Sequence, residues 1–193
     1  MLKKLLLILG LLLTGVLVYY GIVIINARIK TPGIVQQSLA SGRMKLELSD
    51  FSTEQLEALL KVEDPNFYLH KGLDMTTPGA GVTTISQAMV KMYYFEDFKP
   101  GLQKIKQTLI ARFAFDPLTP KNTILKLFIN EVYLGQNGAH AIKGFENAAN
   151  FHHGKPFKKL SWDEYLSLLA MPRAPTTYDY TKQKEANTDR VSK

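Results

Sequence analysis

Residues 5–25 read LLLILGLLLTGVLVYYGIVII and carry no charge. At about 1.5 Å per residue this run makes a helix of roughly 31 Å, close to the ~30 Å hydrocarbon core of a bilayer. A secretion signal that is later removed is the competing reading. Such a signal has a shorter apolar core, about 7–15 residues, ending at a small-residue site. This run is longer and no Ala-x-Ala follows it, so it reads as an uncleaved anchor. Lys3 and Lys4 precede it and Arg28 and Lys30 follow it, which leaves little charge bias across it. The short leading tail favours the amino terminus inside and the domain outside, with Tyr19 and Tyr20 near the outer interface.

The sequence divides into an anchor over 1–27, a connecting segment over 28–47 and a domain over 48–193. The chain carries a formal charge of +7. Without Lys3 and Lys4, 22 basic residues still face 17 acidic ones. That excess suits a solvated basic surface, or attraction to anionic lipid or a phosphate-bearing substrate. No nucleic-acid-binding motif is present, and nucleic acid is not an expected partner. The absence of cysteine excludes disulfides.

Pro32-Gly33 reads as a turn. Ser52 with Gln55 forms a capping box, predicting a helix to about Val62 that buries Leu56, Leu59 and Leu60. That helix delivers Glu63 into a turn, because Pro65 disfavours helix at Asp64. Residues 73–82 read as loop. Further helices are expected from Thr83 or Thr84 to Tyr93, from Pro100 to Phe115 with Asp116-Pro117 breaking it, and over 121–132, 140–151 and 161–171. Gly135-Gln136-Asn137-Gly138 reads as a turn, and strand signals are few. The class is mainly α, and the tail from Thr181 is expected to fray.

Glu63 sits at a helix end beside Asp64, with Phe67, Tyr68 and His70 close behind. A carboxyl near a second carboxylate and aromatic rings is the setting from which general acids and bases are made. Taken alone, such a pair is more often surface decoration. Thr83, Thr84, Ser86, Gln87 and Lys91, then Lys104, Lys106 and Gln107, form a string of polar groups on otherwise apolar helices. Gln87 and Lys91 share a helix face, as do Lys104 and Gln107. No zinc-ligand spacing appears, and the adjacent His152-His153 cannot share a face.

The run E-D-x-x-F-x-x-H-x-G at 63–72 resembles the first motif of the family 51 peptidoglycan glycosyltransferases, found in monofunctional transglycosylases and class A penicillin-binding proteins. Residues 81–92, GVTTISQAMVKM, resemble their second motif, G-x-S-T-x-T-Q-Q-x-x-K-N. Gln103-Lys104-Ile105-Lys106-Gln107 stands where R-K-x-x-E belongs. Residues 121–130, KNTILKLFIN, match K-x-x-I-L-x-x-Y-L-N, and the pattern continues through Glu131–Gln136, Gly144-Phe145 and Gly154-Lys155.

The resemblance implies a lysozyme-like fold behind a single transmembrane helix. It implies polymerisation of lipid II into glycan strands with release of polyprenyl diphosphate, at a bacterial inner membrane with the domain on the outer side. Glu63 matches the base that deprotonates the acceptor 4-hydroxyl, and Gln107 takes the place of the second catalytic carboxylate. Asp64, Phe67, His70, Thr83, Thr84, Gln87, Lys91, Lys104 and Asn130 match substrate-site positions, Lys104 as a cation steadying the departing diphosphate. Lipid II, glycan strands, membrane lipids and other cell-wall proteins are the implied partners. Mg2+ or Mn2+ at the donor diphosphate is the implied cofactor, with no metal site legible in the residues themselves.

Ala88, Met92, Gln103 and Gln107 replace a glutamine, an asparagine, an arginine and a glutamate of the pattern. An amide binds hard cations weakly. The loop between the first two motifs is about a dozen residues shorter than usual, and Gln107 to Lys121 is one residue longer. Compensation by Lys106, Glu96 or Asp97 is one expectation. A binding protein without turnover is the alternative, and a lysozyme-like hydrolase with Glu63 as acid a third. The sequence ends soon after Val191, from which a monofunctional protein is expected.

Overall fold

The computed structural model describes residues 1–76, 83–172, 180 and 183–191. The loop expected over 73–82 and the start of the second motif therefore lie partly outside the described residues, as do the ends of the tail.

Helix α1 runs from Leu2 to Ala40, 39 residues without interruption. It is long and apolar enough to cross a membrane. The expected turn at Pro32-Gly33 does not form, and nothing breaks the chain at 27–28. Packing overrides the local signal: Ala27, Thr31 and Ser38, with Val35 partly buried between them, make a stripe at helical spacing against the domain. Thr31 Oγ1 and Tyr94 Oη share a 2.6 Å hydrogen bond.

The remaining described helices are α2 (Thr53–Glu63), α3 (Ile85–Tyr94), α4 (Leu102–Ile110), α5 (Lys121–Glu131), α6 (Phe145–His153), α7 (Trp162–Leu169) and α8 (Lys184–Val191). The capping boxes at Ser52–Gln55 and Ser161–Glu164 form as expected. A third joins Thr84 and Gln87 at the start of α3. Leu59 is buried and Leu56 and Leu60 are partly so.

Two expected breaks differ. Helix α4 passes into a π-helical turn, Ala111–Phe115, and then a short turn, Asp116–Leu118, so Asp116-Pro117 does not stop it. A π turn holds one residue more than an α turn. Pro117 has no N–H to give to the carbonyl four residues back, Phe113. Arg28 of α1 donates to that carbonyl at 2.6 Å, which stabilises the helix through its proline. Second, the segment expected as helix from 140 is strand to Lys143. Strands β1 (Tyr133–Asn137) and β2 (His140–Lys143) pair antiparallel about Gly138. Gly144 separates them from α6: its φ is +77°, and a Cβ there would lie 2.3 Å from the Asn130 carbonyl oxygen, so helix cannot start earlier.

The core is continuous beneath α2, α5, α6 and α7. Phe51, Phe145, Phe157 and Tyr165 form one aromatic cluster with ring centroids 4.3–6.2 Å apart, each ring contributing roughly 1.5–3 kcal/mol through burial. The tail is ordered in part: Asn187 of α8 is buried and donates to the Ser167 carbonyl at 2.7 Å.

Candidate functional site

Glu63 is the last residue of α2, half-buried, with Oε1 enclosed by protein. Burial and then the charge of Glu63 push the Tyr165 phenol above its usual range, so the carboxylate is felt inside the core. Asp64 follows and leaves the helix at φ −160°, ψ 77°. Its carboxylate is 2% exposed and joins three segments. Oδ1 lies 2.8 Å from His70 Nε2, and Oδ2 accepts from Ile85 N at 2.9 Å. The second contact places a carboxylate at the amino end of α3, where it is favoured by the exposed N–H groups.

His70 Nδ1 accepts the Gly72 N–H at 3.0 Å. Nε2 therefore carries the ring proton and donates to Asp64. Thr84 Oγ1 donates to the Gly72 carbonyl at 3.0 Å and accepts from Gln87 N at 3.1 Å. Gly72 is thus held at both its N–H and its carbonyl. Its φ is +81°, and a Cβ would meet Ala111 O at 2.4 Å, so the π turn seats directly on this glycine. Phe67 is buried beneath the loop, with Lys121 Nζ 4.6 Å from its ring centroid.

The α3–α4 side is built differently. Gln87 is fully buried: Oε1 accepts from Thr84 N and Nε2 donates to Thr108 Oγ1. Gln107, 1% exposed, turns into the same seam and donates through Nε2 to the Gln87 carbonyl at 2.7 Å. Its Oε1 is buried and accepts no hydrogen bond among the described residues. Gln103 Oε1 accepts from Lys99 N at 2.6 Å. At the rim, Lys104 Nζ donates to Thr83 Oγ1 at 3.1 Å, and Lys91 Nζ lies 5.3 Å from the Phe98 ring centroid. Burial, and then the charge of Lys91, lower the Lys104 ammonium below the usual lysine range, so two cations share this rim.

The structure brings Glu63, Asp64, Phe67, His70 and Thr84 together, and gathers Thr83, Gln87, Lys91, Lys104 and Gln107 along α3 and α4. Asn130 stands apart. It accepts from Lys45 N and Leu46 N and donates to Leu46 O and Lys126 O, tying α5 to the segment after α1. Two of the expected compensating groups point elsewhere: Lys106 lies over Tyr19 of α1, and exposed Asp97 pairs with Lys99. Sequence reasoning passed over Asp116, whose Oδ2 accepts from Ser86 Oγ at 2.6 Å and Lys121 Nζ at 2.7 Å. An Asp before a proline read as a helix breaker, and nothing local separated that from a buried anchor.

A transglycosylase family model matches residues 33–193. The chain belongs to the transglycosylase family. This bears out the resemblance read from the ordered motifs, and with it the mainly helical, lysozyme-like fold behind one apolar helix. Similar curated proteins include penicillin-binding protein 1B of Vibrio cholerae, 28% identical over 174 residues covering 83% of this chain and 22% of that protein. Penicillin-binding protein 1A of Pseudomonas aeruginosa is 31% identical over 161 residues, 77% of this chain and 19% of the relative. The Escherichia coli 1B protein is 29% identical over 150 residues, 71% and 18%. The chain spans about a fifth of the length of these relatives.

The divalent metal implied by the motif resemblance is not matched by the donors on this side of the transglycosylase domain. A hard cation wants carboxylate oxygens. Position 107 offers an amide whose N–H is already given to Gln87 O. Among the described residues no three acidic or histidine side chains gather to hold an ion.

Proposed function

We propose that this transglycosylase-family chain joins the disaccharide of lipid II to a growing glycan strand, with Glu63 as general base. In that step the acceptor 4-hydroxyl oxygen bonds to the donor anomeric carbon, whose bond to phosphate breaks. The hydroxyl proton passes to Glu63, and polyprenyl diphosphate leaves with the bonding pair. The observation carrying this reading is the network around Glu63: Asp64, His70, Gly72 and Thr84 are joined by hydrogen bonds of 2.8–3.0 Å that lock the loop and leave the α2 terminus fixed.

The membrane placement supports it. Lys106 of α4 lies 5.2 Å from the Tyr19 ring centroid, inside the apolar run. Between Tyr19 and Ile25 the helix rises roughly 9 Å. A spanning α1 would therefore dip α4, with exposed Leu102 and Ile105, into the outer leaflet just beneath the head groups of lipid-linked substrates. We place the domain outside the inner membrane. The chain lacks cysteine, so single cysteines introduced at Lys3 and at Glu185 report sidedness directly; labelling of Lys3→Cys from outside would reverse the orientation.

The inward turn of Gln107 favours a second reading, binding of lipid II without turnover. Purified wild type and Glu63→Gln separate the two. Polymer from wild type alone supports the enzyme, and equal binding by both with polymer from neither supports the binding protein. Hydrolysis fits poorly, because the neighbouring carboxylates of Asp64 and Asp74 are engaged with His70 and Ile85 N, and with Asn66 and Thr76.

A further inference from the structure

We infer that the junction of α1 and α4 is a site for an anionic phospholipid, with the Lys106 ammonium on the lipid phosphate and the exposed side chains of Leu102 and Ile105 along its acyl chains. The inference rests on α1 crossing the bilayer and is independent of turnover.

Helix α4 runs beside α1 in the same direction. Lys106 Nζ lies 5.2 Å from the Tyr19 ring centroid, and the Phe113 carbonyl accepts from Arg28 at 2.6 Å. From Lys106 to Phe113 the chain rises about 10 Å, and from Tyr19 to Arg28 about 13 Å. Leu102 therefore stands one turn below Lys106, roughly 6 Å deeper. It is 72% exposed, Ile105 45% and Tyr19 47%. Beside a spanning helix, that strip of apolar surface meets acyl chains.

The ammonium is the member of this strip that needs a partner. It is half-buried against the tyrosine face, and Tyr20 packs edge-on to that ring with centroids 5.2 Å apart. Among the described residues no carboxylate forms an ion pair with Lys106. An aromatic face compensates a cation in part, but a charge at hydrocarbon depth calls for an anion. The long stem of lysine lets the ammonium rise towards the phosphates while its methylenes stay in the apolar layer. A phosphatidylcholine head group brings its own cation to its phosphate. Phosphatidylglycerol does not, so its phosphate gains more from Lys106. Lys104 lies two positions away on α4 and so points to the other side of the helix, where it donates to Thr83. The lipid site and the donor-side rim are distinct faces of α4.

The test is native mass spectrometry of the full-length chain in a neutral detergent, titrated with phosphatidylglycerol or phosphatidylcholine bearing identical chains. The expected result is half-retention of phosphatidylglycerol at a concentration about fivefold or more below that of phosphatidylcholine, and loss of that preference in Lys106→Gln. Lys106→Arg keeps the preference, and Tyr19→Leu weakens phosphatidylglycerol retention about twofold. Lys159→Gln removes one charge from an exposed position in the turn before α7 and leaves the preference unchanged. Circular dichroism confirms that each variant is folded. Equal retention of the two lipids by wild type, an unchanged preference in folded Lys106→Gln, or an equal loss in Lys159→Gln overturns the inference. So does displacement of phosphatidylglycerol by farnesyl phosphate at lower concentration, which would assign the site to a lipid-linked phosphate instead. Lipid II assays keep this inference apart from the proposed function. A Lys106-dependent preference in a chain that makes no polymer upholds the inference and rejects turnover, whereas polymer from a chain without the preference upholds turnover and rejects the inference.

Discussion

The loop after α2 and the seam between α3 and α4 are both made of buried polar side chains that fasten one helix to another, yet they do opposite things with charge. In the loop, one carboxylate, Asp64, is matched by an imidazole N–H and a helix amino terminus, and the chain beside it ends in a second carboxylate, Glu63. In the seam, amides stand where the family motif has charges, and they are consumed by backbone groups. Once the charge is exchanged for an amide, the side chain gains more from a nearby carbonyl than from solvent or ligand.

The contrast makes its largest prediction at Gly72. A methyl group there meets Ala111 O at 2.4 Å with φ at +81°, so Gly72→Ala should cost about 3 kcal/mol or more, read as a fall in the chemical-denaturation midpoint, and should abolish polymer formation. Asp64→Ala follows. It strands the His70 and Ile85 N–H groups in a buried site and should cost about 2–4 kcal/mol; unchanged stability would mean the loop is not held as described.

Gln107→Glu sharpens the comparison from the other side. The account expects destabilisation of about 2–3 kcal/mol at neutral pH and no gained response to Mg2+. A protonated carboxyl can donate to Gln87 O where a carboxylate cannot. The variant's carboxyl pKa is therefore raised by folding, and its stability recovers as pH falls and is lost as pH rises through that value. Gain of metal-dependent activity would show that position 107 still faces the ligand.

The smallest effect concerns Lys104. Burial and Lys91 hold its ammonium below the ordinary lysine range in the free protein, and a bound anion favours the charged form. Affinity for a polyprenyl diphosphate should therefore weaken as pH rises through the lowered value, before ordinary lysines titrate, and Lys104→Arg should remove that dependence.

Much of this was legible in the residues. Ser52 with Gln55 and Ser161 with Glu164 set helix starts through local hydrogen bonds, and local signals survive folding. Glu63 and Asp64 were legible because Pro65 ends α2 where they stand. The π turn before Lys121 was not legible, since its contacts are with Gly72 and Arg28, far off in sequence. Pro32-Gly33 misled for the same reason: the stripe of Ala27, Thr31 and Ser38 has value only once the domain lies against it. The β hairpin escaped notice because its strands are short and β1 shows no alternation, adjacent Leu134 and Gly135 both being buried. Gln87 and Gln107 carried the right motif spacing, but spacing does not say which way an amide turns.

The most direct measurement is glycan polymerisation from lipid II by the purified full-length chain in EDTA, read by gel for wild type and Glu63→Gln. The account predicts polymer from wild type and a loss of about a hundredfold to ten-thousandfold in Glu63→Gln. Equal polymer from both, or none from wild type with and without Mg2+ under conditions where another family member works, would contradict it.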